Sequence, residues 1–188
     1  MKLNNKKLAQ NINEGKIAII PTDTIYGLSA SAFLPYSIEK IYRLKKRNLK
    51  KPLIIIISGI DDLELFKIKI DAKTKKILEK IWPGKVSVIL PCPNKKFRYL
   101  HRGQKSLAFR LPDKANLKRL LKSTGPLVSA SANPESLLPA KTITDAKKYF
   151  GKKVDIYIDE GKLESLPSTL IEIKNEKIKI LRQGEVKI

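Results

Sequence analysis

The sequence predicts an α/β fold, in which helices pack on a twisted sheet of mixed parallel and antiparallel strands. Strand-length apolar runs alternate with helical patterns early in the chain, which favours parallel crossovers there. Two strand-like runs near the C-terminus are separated by only the residues 174–177, which favours a hairpin. With 188 residues and 42% apolar content, the chain suits one domain, over residues 1–188, with a sizeable core.

The elements follow from local patterns in chain order. An amphipathic helix over residues 3–14 ends at Gly15 and leads into a buried strand at 16–20. A helix over 37–46, with Ser37 as N-cap, precedes a strand at 53–58. The same reasoning predicts helices at 63–66, 74–82, 115–121 and 144–150, and strands at 86–90, 107–111, 127–130, 154–158, 169–173 and 178–181.

Charge and composition restrict the class of protein. The formal net charge of +21 would attract nucleic acid or another polyanion, although lysines scattered through every segment equally fit solvated helix faces in a lysine-rich chain. One cysteine, Cys92, excludes a disulfide framework and a multi-cysteine zinc site. The polar N-terminus and short apolar runs predict no signal peptide and no membrane span, so we expect a cytoplasmic protein.

Polar segments follow several predicted strands, where open α/β sheets usually bind ligands. Residues 21–28 (PTDTIYGL) combine hydroxyls, a carboxylate and a phenol, and Gly27 would let the backbone pass close to a ligand. Residues 45–51 hold five cations, which suit phosphate or carboxylate oxygens. Residues 125–133, 167–169 and 181–184 are weaker candidates. Taken singly, these segments equally fit turn chemistry, cations favoured at a helix C-terminus, or generic loops.

Several common catalytic signatures are absent from the sequence. It has no P-loop, no dinucleotide-binding glycine motif, no zinc-protease helix motif and no nucleophile elbow. His101 is the only histidine, and its basic, loop-like surroundings predict a surface position. Trp82, which precedes a Pro-Gly helix stop, is expected to be a packing residue.

Taken in order, the motifs resemble the YrdC/TsaC family over residues 10–186. The matching pieces are PTDTIYGL at 21–28, K-x-R-x4-P-L at 45–53, WPG at 82–84, SLAFRLP at 106–112, SAN at 131–133, D-x-G at 159–161, S-T at 168–169 and L-R-x-G at 181–184. Each motif is moderately specific, and the ordered set is strong. The resemblance implies a YrdC-like fold with a basic concave cavity. Because the sequence ends at Ile188, we expect the second domain of longer relatives to be absent.

The resemblance also implies a reaction and a set of site residues. L-threonine, bicarbonate or CO2, and ATP with Mg2+ would give threonylcarbamoyl-AMP and pyrophosphate, and a partner threonylcarbamoyl transferase complex would then modify tRNAs that read codons starting with A. The family pattern places Thr24, Arg110 and Ser168 near threonine. It places the following residues near ATP: Lys45, Arg47, Lys51, Ser106, Ser129, Ser131, Asn133 and Arg182. No protein nucleophile is assigned, and the metal ligands are unassigned.

Three departures from the family pattern affect the expected contacts. Ile56 stands where many relatives have histidine, which removes a hydrogen-bonding side chain. Lys85 adds a charge after the WPG turn, within the run Lys85-Val86-Ser87. Leu138-Pro139-Ala140 replaces S-P-T and removes two hydroxyls near the expected phosphate site.

Two other functions compete with synthesis. The basic surface could bind tRNA or other double-stranded RNA, or assist ribosome maturation, without catalysis, and steep salt dependence would reveal such binding. The chain could instead resemble the carbamoyltransfer domain of a hydrogenase-maturation enzyme, but those proteins are much larger and carry cysteine-rich zinc fingers that one cysteine cannot form.

Overall fold

A computed structural model describes residues 6–174 and 177–188. Its strands are β1 (Ala18–Pro21), β2 (Tyr26–Ser31), β3 (Ile54–Ile56), β4 (Val86–Pro91), β5 (Ser106–Arg110), β6 (Leu127–Ser131), β7 (Ile156–Tyr157), β8 (Thr169–Lys174) and β9 (Lys177–Arg182). Its α-helices are α1 (Lys6–Asn13), α2 (Pro35–Lys45), α3 (Ala72–Ile81), α4 (Arg98–His101), α5 (Ala115–Thr124) and α6 (Ile143–Phe150). Short 3-10 helices cover Ile60–Phe66, Lys95–Phe97 and Gly151–Lys153.

The strands form one mixed sheet in the order β7-β1-β2-β6-β3-β5-β4-β8-β9. The pairs β1–β7, β3–β5 and β4–β8 are parallel, and the other neighbouring pairs are antiparallel. The predicted fold class is therefore confirmed. The final hairpin is also confirmed, although residues 175 and 176 of its turn lie outside the described residues, as do residues 3–5 of the predicted first helix.

The early parallel crossover is a wrong prediction. β1 turns directly into β2, and the two pair antiparallel, so β1 and β3 are not neighbours. A tight turn makes this reversal, because Thr22 donates both its backbone N–H and its hydroxyl to the carbonyl of Ile25. Strand β2 escaped prediction because Gly, Ser and Ala, which make up most of it, have little intrinsic preference for strands.

The two faces of the sheet are covered differently. Alternate strand residues such as Ile19 and Val128 pack under α2, α3, α4 and α6 in the larger core, which also holds Phe66 at the centre of an aromatic cluster. On the opposite face, α1 and α5 cover a smaller core that includes Ala18 and Ile20. Beyond these two helices, the second face carries small side chains, and this is where the cavity described below lies.

Three local predictions need correction. Ser37 does not cap α2: Leu34 precedes the helix, Pro35 opens it, and the buried Ser37 hydroxyl donates to the carbonyl of Gly15 instead. His101 is buried, because the basic stretch around it folds into α4 and carries the imidazole inward, where Nδ1 accepts a bond from the Gly103 N–H. The element predicted at 63–66 is a 3-10 helix that begins at Ile60.

Two further predictions concern Trp82 and membrane-spanning helices. The indole of Trp82 is buried, and its Nε1 donates to the carbonyl of Val86, which confirms the packing role. Among the described residues, none of the helices has the length and apolar character needed to cross a bilayer.

Candidate active site

A cleft opens on the face of the sheet that carries small side chains. It encloses about 640 Å³ of empty space, its open mouth included. Strands β2, β6 and β3 supply its floor, where Gly27 lies opposite Ser131, and Ile54 opposite Ser129. A Cβ at Gly27 would lie 2.3 Å from the hydroxyl oxygen of Ser129, so the absence of a side chain keeps this floor open.

Seven of the eleven predicted site residues line this cleft. They are Thr24, Arg47, Arg110, Ser129, Ser131, Ser168 and Arg182. The other lining residues are Thr22, Ile25, Tyr26, Gly27, Leu53, Ile54, Ile56, Ala130 and Pro167. The fold thus brings together segments that are more than 150 residues apart in sequence, from Thr22 to Arg182.

One end of the cleft is built around the buried guanidinium of Arg110. Its Nη1 donates to the hydroxyl of Thr24 at 3.0 Å, and its Nη2 lies 3.1 Å from a carboxylate oxygen of Asp23. Burial lowers the pKa of Arg110, the charge of Asp23 opposes that shift, and the charge of Arg182 adds to it. Ile56 pairs with Arg110 across β3 and β5, so an apolar side chain borders the cation.

Three guanidiniums share the cleft. Desolvation in the cleft lowers the pKa of Arg182, and the nearby charge of Arg47 lowers it further. Because Arg182 in turn acts on Arg110, the three positive charges lie within electrostatic range of one another. No described residue among those lining the cleft carries a carboxylate. Such an excess of fixed positive charge in a concave site attracts a polyanion.

The loop that follows α2 holds Arg47 in place. Its Nε and Nη2 donate to the carbonyls of Lys51 and Pro52 at 3.0 and 3.1 Å. Lys51, in contrast, does not line the cleft, and it pairs with Glu135 at 2.8 Å. Lys51 is therefore a predicted site residue that the structure places outside the cleft lining.

Lys45 and Asn133 lie behind the floor rather than in it. The ammonium of Lys45 donates to the carbonyls of Ser131 and Asn133 at 2.5 and 2.6 Å, and the side chain is 1% exposed. Burial lowers the pKa of Lys45 to about 7, with a further contribution from Arg47. The Asn133 amide donates to the carbonyls of Pro134 and Leu137. Both side chains brace the serine-rich loop, and neither lines the cleft.

Ser106 and Ser168 lie in different surroundings. Ser106 begins β5 on the same sheet face as Arg110 but four residues away, about 13 Å along the strand, and outside the cleft lining. Ser168 lines the cleft and shares a hydrogen bond of 2.8 Å with the buried hydroxyl of Ser87. Its carbonyl accepts a bond of 2.8 Å from Arg182.

Sequence reasoning assigned no site role to Asp23 or Ser87. Each contacts a residue that lines the cleft. The available signals were weak: Asp23 occurs inside the motif at 21–28, and Ser87 occurs in the run 85–87 that departs from the family pattern. Of the three departures, Lys85 pairs with Glu185 at 3.0 Å, and Leu138 is 81% exposed outside the cleft lining. Ile56 alone borders the site.

Among the described residues, the cleft lining offers Mg2+ no carboxylate ligand. Mg2+ favours carboxylate ligands with octahedral geometry. The described part of the chain holds no group of three or more His, Cys, Asp or Glu placed to hold a metal, and Asp23 is engaged with Arg110.

Fold and site together define a class of protein: a mixed α/β sheet whose small-residue face holds an arginine-rich cleft for anionic ligands. The chain belongs to the Sua5/YciO/YrdC family, whose model, described as "Telomere recombination", matches residues 10–184. This confirms the family resemblance predicted from the motifs.

Two relatives and two solved structures illustrate the match. A putative threonylcarbamoyl-AMP synthase of Methanocaldococcus jannaschii is 36% identical over 96% of this chain and 86% of its own length. A threonylcarbamoyl-AMP synthase of Pyrococcus abyssi is 30% identical over 92% of this chain and 52% of its own length. The crystal structure of P. abyssi Sua5 complexed with L-threonine superposes with a TM-score of 0.87 at 27% identity, covering 95% of this chain and 53% of the other. E. coli YciO superposes with a TM-score of 0.84 over 95% and 88% of the two chains, and at 22% identity it supports the fold alone.

Proposed function

We propose that this chain is a threonylcarbamoyl-AMP synthase, which converts L-threonine, bicarbonate or CO2, and ATP to threonylcarbamoyl-adenylate and pyrophosphate. One observation carries the proposal: a single cleft joins a buried arginine–threonine end to a row of further guanidiniums over a floor of small hydroxyl residues. Relatives that span most of this chain carry the name of this activity. The longer P. abyssi relative, of which this chain spans about half, carries it as well.

The amino-acid end would bind threonine through its carboxylate. Arg110 is a fixed cation whose Nε has no hydrogen-bond partner among the described residues, so this nitrogen can donate to an anionic group without losing another bond. Thr24 and Ser168 add hydroxyls on the same side. Ile56 faces this end, and it offers the substrate an apolar contact where a polar side chain would hydrogen-bond.

The other end would bind the triphosphate. Arg47 and Arg182 neutralise phosphate charge, while the floor residues Ser129 and Ser131 leave room for the nucleotide and offer hydroxyls. Lys45 and Asn133 contribute by holding the loop of Ser131 in shape. Lys51 and Ser106 stay proposals for contacts to the outer part of the nucleotide.

The chemistry requires positioning and charge, and no protein nucleophile. Threonine and bicarbonate form a carbamate with loss of water. A carbamate oxygen then attacks the α-phosphorus, the bond from that phosphorus to the bridging β-oxygen breaks, and pyrophosphate leaves. Guanidiniums aimed at the phosphates stabilise the charge that develops on the leaving group. Mg2+, when present, would supply further charge neutralisation.

The product would pass to a threonylcarbamoyl transferase complex in the cytoplasm for transfer to tRNA. The decisive experiment identifies the product. Purified protein is incubated with ATP, Mg2+, threonine and [13C]bicarbonate, and the mixture is analysed by mass spectrometry. We expect threonylcarbamoyl-AMP carrying one 13C, and a much lower yield from the Arg182→Ala variant. An unlabelled adenylate, or AMP alone, would contradict the proposal.

A further inference from the structure

A buried carboxylate lies directly behind the amino-acid end of the cleft. The side chains of Asp23 and Arg110 are 5% and 6% exposed, and their charged atoms lie 3.1 Å apart. Asp23 does not line the cleft. Its second carboxylate oxygen accepts the backbone N–H of Asp113 at 3.2 Å, so the carboxylate is held from two sides.

This arrangement restrains the Arg110 guanidinium from two sides. Thr24 accepts a hydrogen bond from Nη1, and Oδ1 of Asp23 forms an ion pair with Nη2 that lacks hydrogen-bond geometry among the described residues. Nε is buried and has no hydrogen-bond partner among the described residues. A buried donor without a partner costs free energy unless a ligand pairs with it. The direction of this N–H therefore matters for ligand binding.

We propose that Asp23 is a positioning residue that orients Arg110, so that the unpaired Nε–H of Arg110 meets the carboxylate of the amino-acid substrate. Asp23 acts through Arg110 and does not touch the ligand. The inference rests on the proposed function for the identity of the substrate. Its basis in the fold is the tight turn between β1 and β2 that contains Asp23, where the Thr22 hydroxyl donates to the carbonyl of Ile25 and accepts the backbone N–H of Thr24.

The carboxylate also balances charge in a crowded site. Three guanidiniums share the cleft, and Asp23 is the acidic group that acts on Arg110. Removing one member of a buried ion pair leaves the other uncompensated, which destabilises both the fold and the orientation of the remaining side chain. Two variants therefore separate orientation from folding: Asp23→Glu keeps the charge but moves it by one methylene, and Asp23→Asn keeps the size but removes the charge.

The matched control is Asp155→Asn. Asp155 also accepts a backbone N–H, from Ile17 at 2.8 Å, and it also pairs with a cation, Lys40 at 3.1 Å, but it lies outside the cleft lining. For each variant we would measure the Tm, the kcat, and the KM for threonine and for ATP. The Nε–H signal of Arg110 would be followed by NMR in protein labelled with 15N-arginine, with Arg110→Lys used to assign it.

We expect Asp23→Glu and Asp23→Asn to raise the KM for threonine at least about tenfold. The KM for ATP should stay within about twofold, and the Nε–H signal of Arg110 should shift or broaden. Asp155→Asn should change neither KM. An unchanged KM for threonine in the folded Asp23→Glu variant would overturn the proposal, as would an equal rise in both KM values. If wild-type protein makes no product, the proposed function fails, and the NMR signal then decides this inference alone: an unshifted Arg110 signal in both Asp23 variants overturns it.

Discussion

At the scale of single residues, the site is defined by which cations are free to meet a ligand. Arg47, Arg110 and Arg182 line the cleft, whereas Lys45 donates to protein carbonyls and Lys51 pairs with Glu135. The sequence motifs predicted a ligand contact for all five, Arg110 with threonine and the other four with ATP, because a motif records only residue type and order. The partner that each side chain binds depends on segments that are distant in sequence and that only the fold brings together.

Arg47→Ala should lower kcat/KM for ATP by about 10- to 100-fold, because a charge-assisted hydrogen bond to phosphate is worth about 1.5–3 kcal/mol. Arg47→Lys is the control: it keeps the charge but loses the two donors that hold the carbonyls of Lys51 and Pro52. We expect it to retain part of the activity. Steady-state kinetics at saturating threonine measure both variants, and wild-type kinetics for Arg47→Ala would remove Arg47 from the site.

Lys45 should give stability a dependence on pH. Its pKa in the folded protein is about 7, against an ordinary value of 10.5, so between these pH values the unfolded chain holds a proton that the folded protein has released. The contribution of Lys45 to stability is therefore lowest below pH 7 and rises as the pH increases through this window. Urea unfolding of wild type and Lys45→Met at pH 7, 8 and 9 should show that the free energy of unfolding of the wild type rises with pH relative to that of the variant. The same pH dependence in both proteins would mean that Lys45 keeps its proton.

At the scale of elements, the strand at 16–20 and most later elements were predictable from apolar runs, but the β1–β2 reversal was not. The turn depends on hydroxyl and backbone bonds within residues 22–25, and β2 consists mainly of small residues, so the period-two apolar pattern is absent. Seven cleft residues could be named from motifs. Asp23 and Ser87 contact lining residues from behind, and only the fold shows these contacts.

The C-terminal segment packs closely against residues 167–169, and Gly184 lies at this contact. Gly184 donates to the hydroxyl of Thr169, and a Cβ there would lie 2.2 Å from the carbonyl oxygen of Pro167. Because that atom is backbone, Gly184→Ala should destabilise the fold by about 1–3 kcal/mol. It should also raise the KM for threonine, because the shifted backbone carries Ser168.

The control for this overpacking is Gly59→Ala, since a Cβ at Gly59 would meet nothing within 4 Å. We expect its free energy of unfolding to stay within about 0.5 kcal/mol of wild type. Urea denaturation measures both variants. Equal stabilities for the two would mean that the C-terminal segment does not press on residues 167–169.

At the scale of the whole molecule, the excess of basic residues has two possible targets. The formal charge is +21, and the guanidinium row in the cleft accounts for only part of it. Contact between the other basic side chains and RNA phosphates stays a prediction, and it is a separate property from nucleotide binding. That the chain forms one domain over residues 1–188 stays a prediction.

Salt dependence separates these two properties. Raising KCl from 50 to 200 mM should weaken tRNA binding by about 1,000-fold if six or more phosphates are contacted, because counterions are released in proportion to those contacts. The affinity for ATP, which carries few charges, should fall by no more than about tenfold over the same range. The dissociation constants of tRNA and of ATP, measured at both salt concentrations, test the difference. Equal salt slopes would mean that ATP binds to the general basic surface rather than in the cleft.

The central claim is that one cleft joins an amino-acid end to a nucleotide end, and its most direct test is pyrophosphate release with each substrate omitted in turn. The account predicts rapid release only when ATP, threonine and bicarbonate are all present, because the carbamate must exist before it can attack the α-phosphorus. The kcat/KM for serine should exceed that for valine, because a missing methyl group costs less binding free energy than a polar group of the site left unpaired. The apolar side chain of Ile56 should make this difference between serine and valine smaller. Release from ATP alone at the same rate would contradict the account.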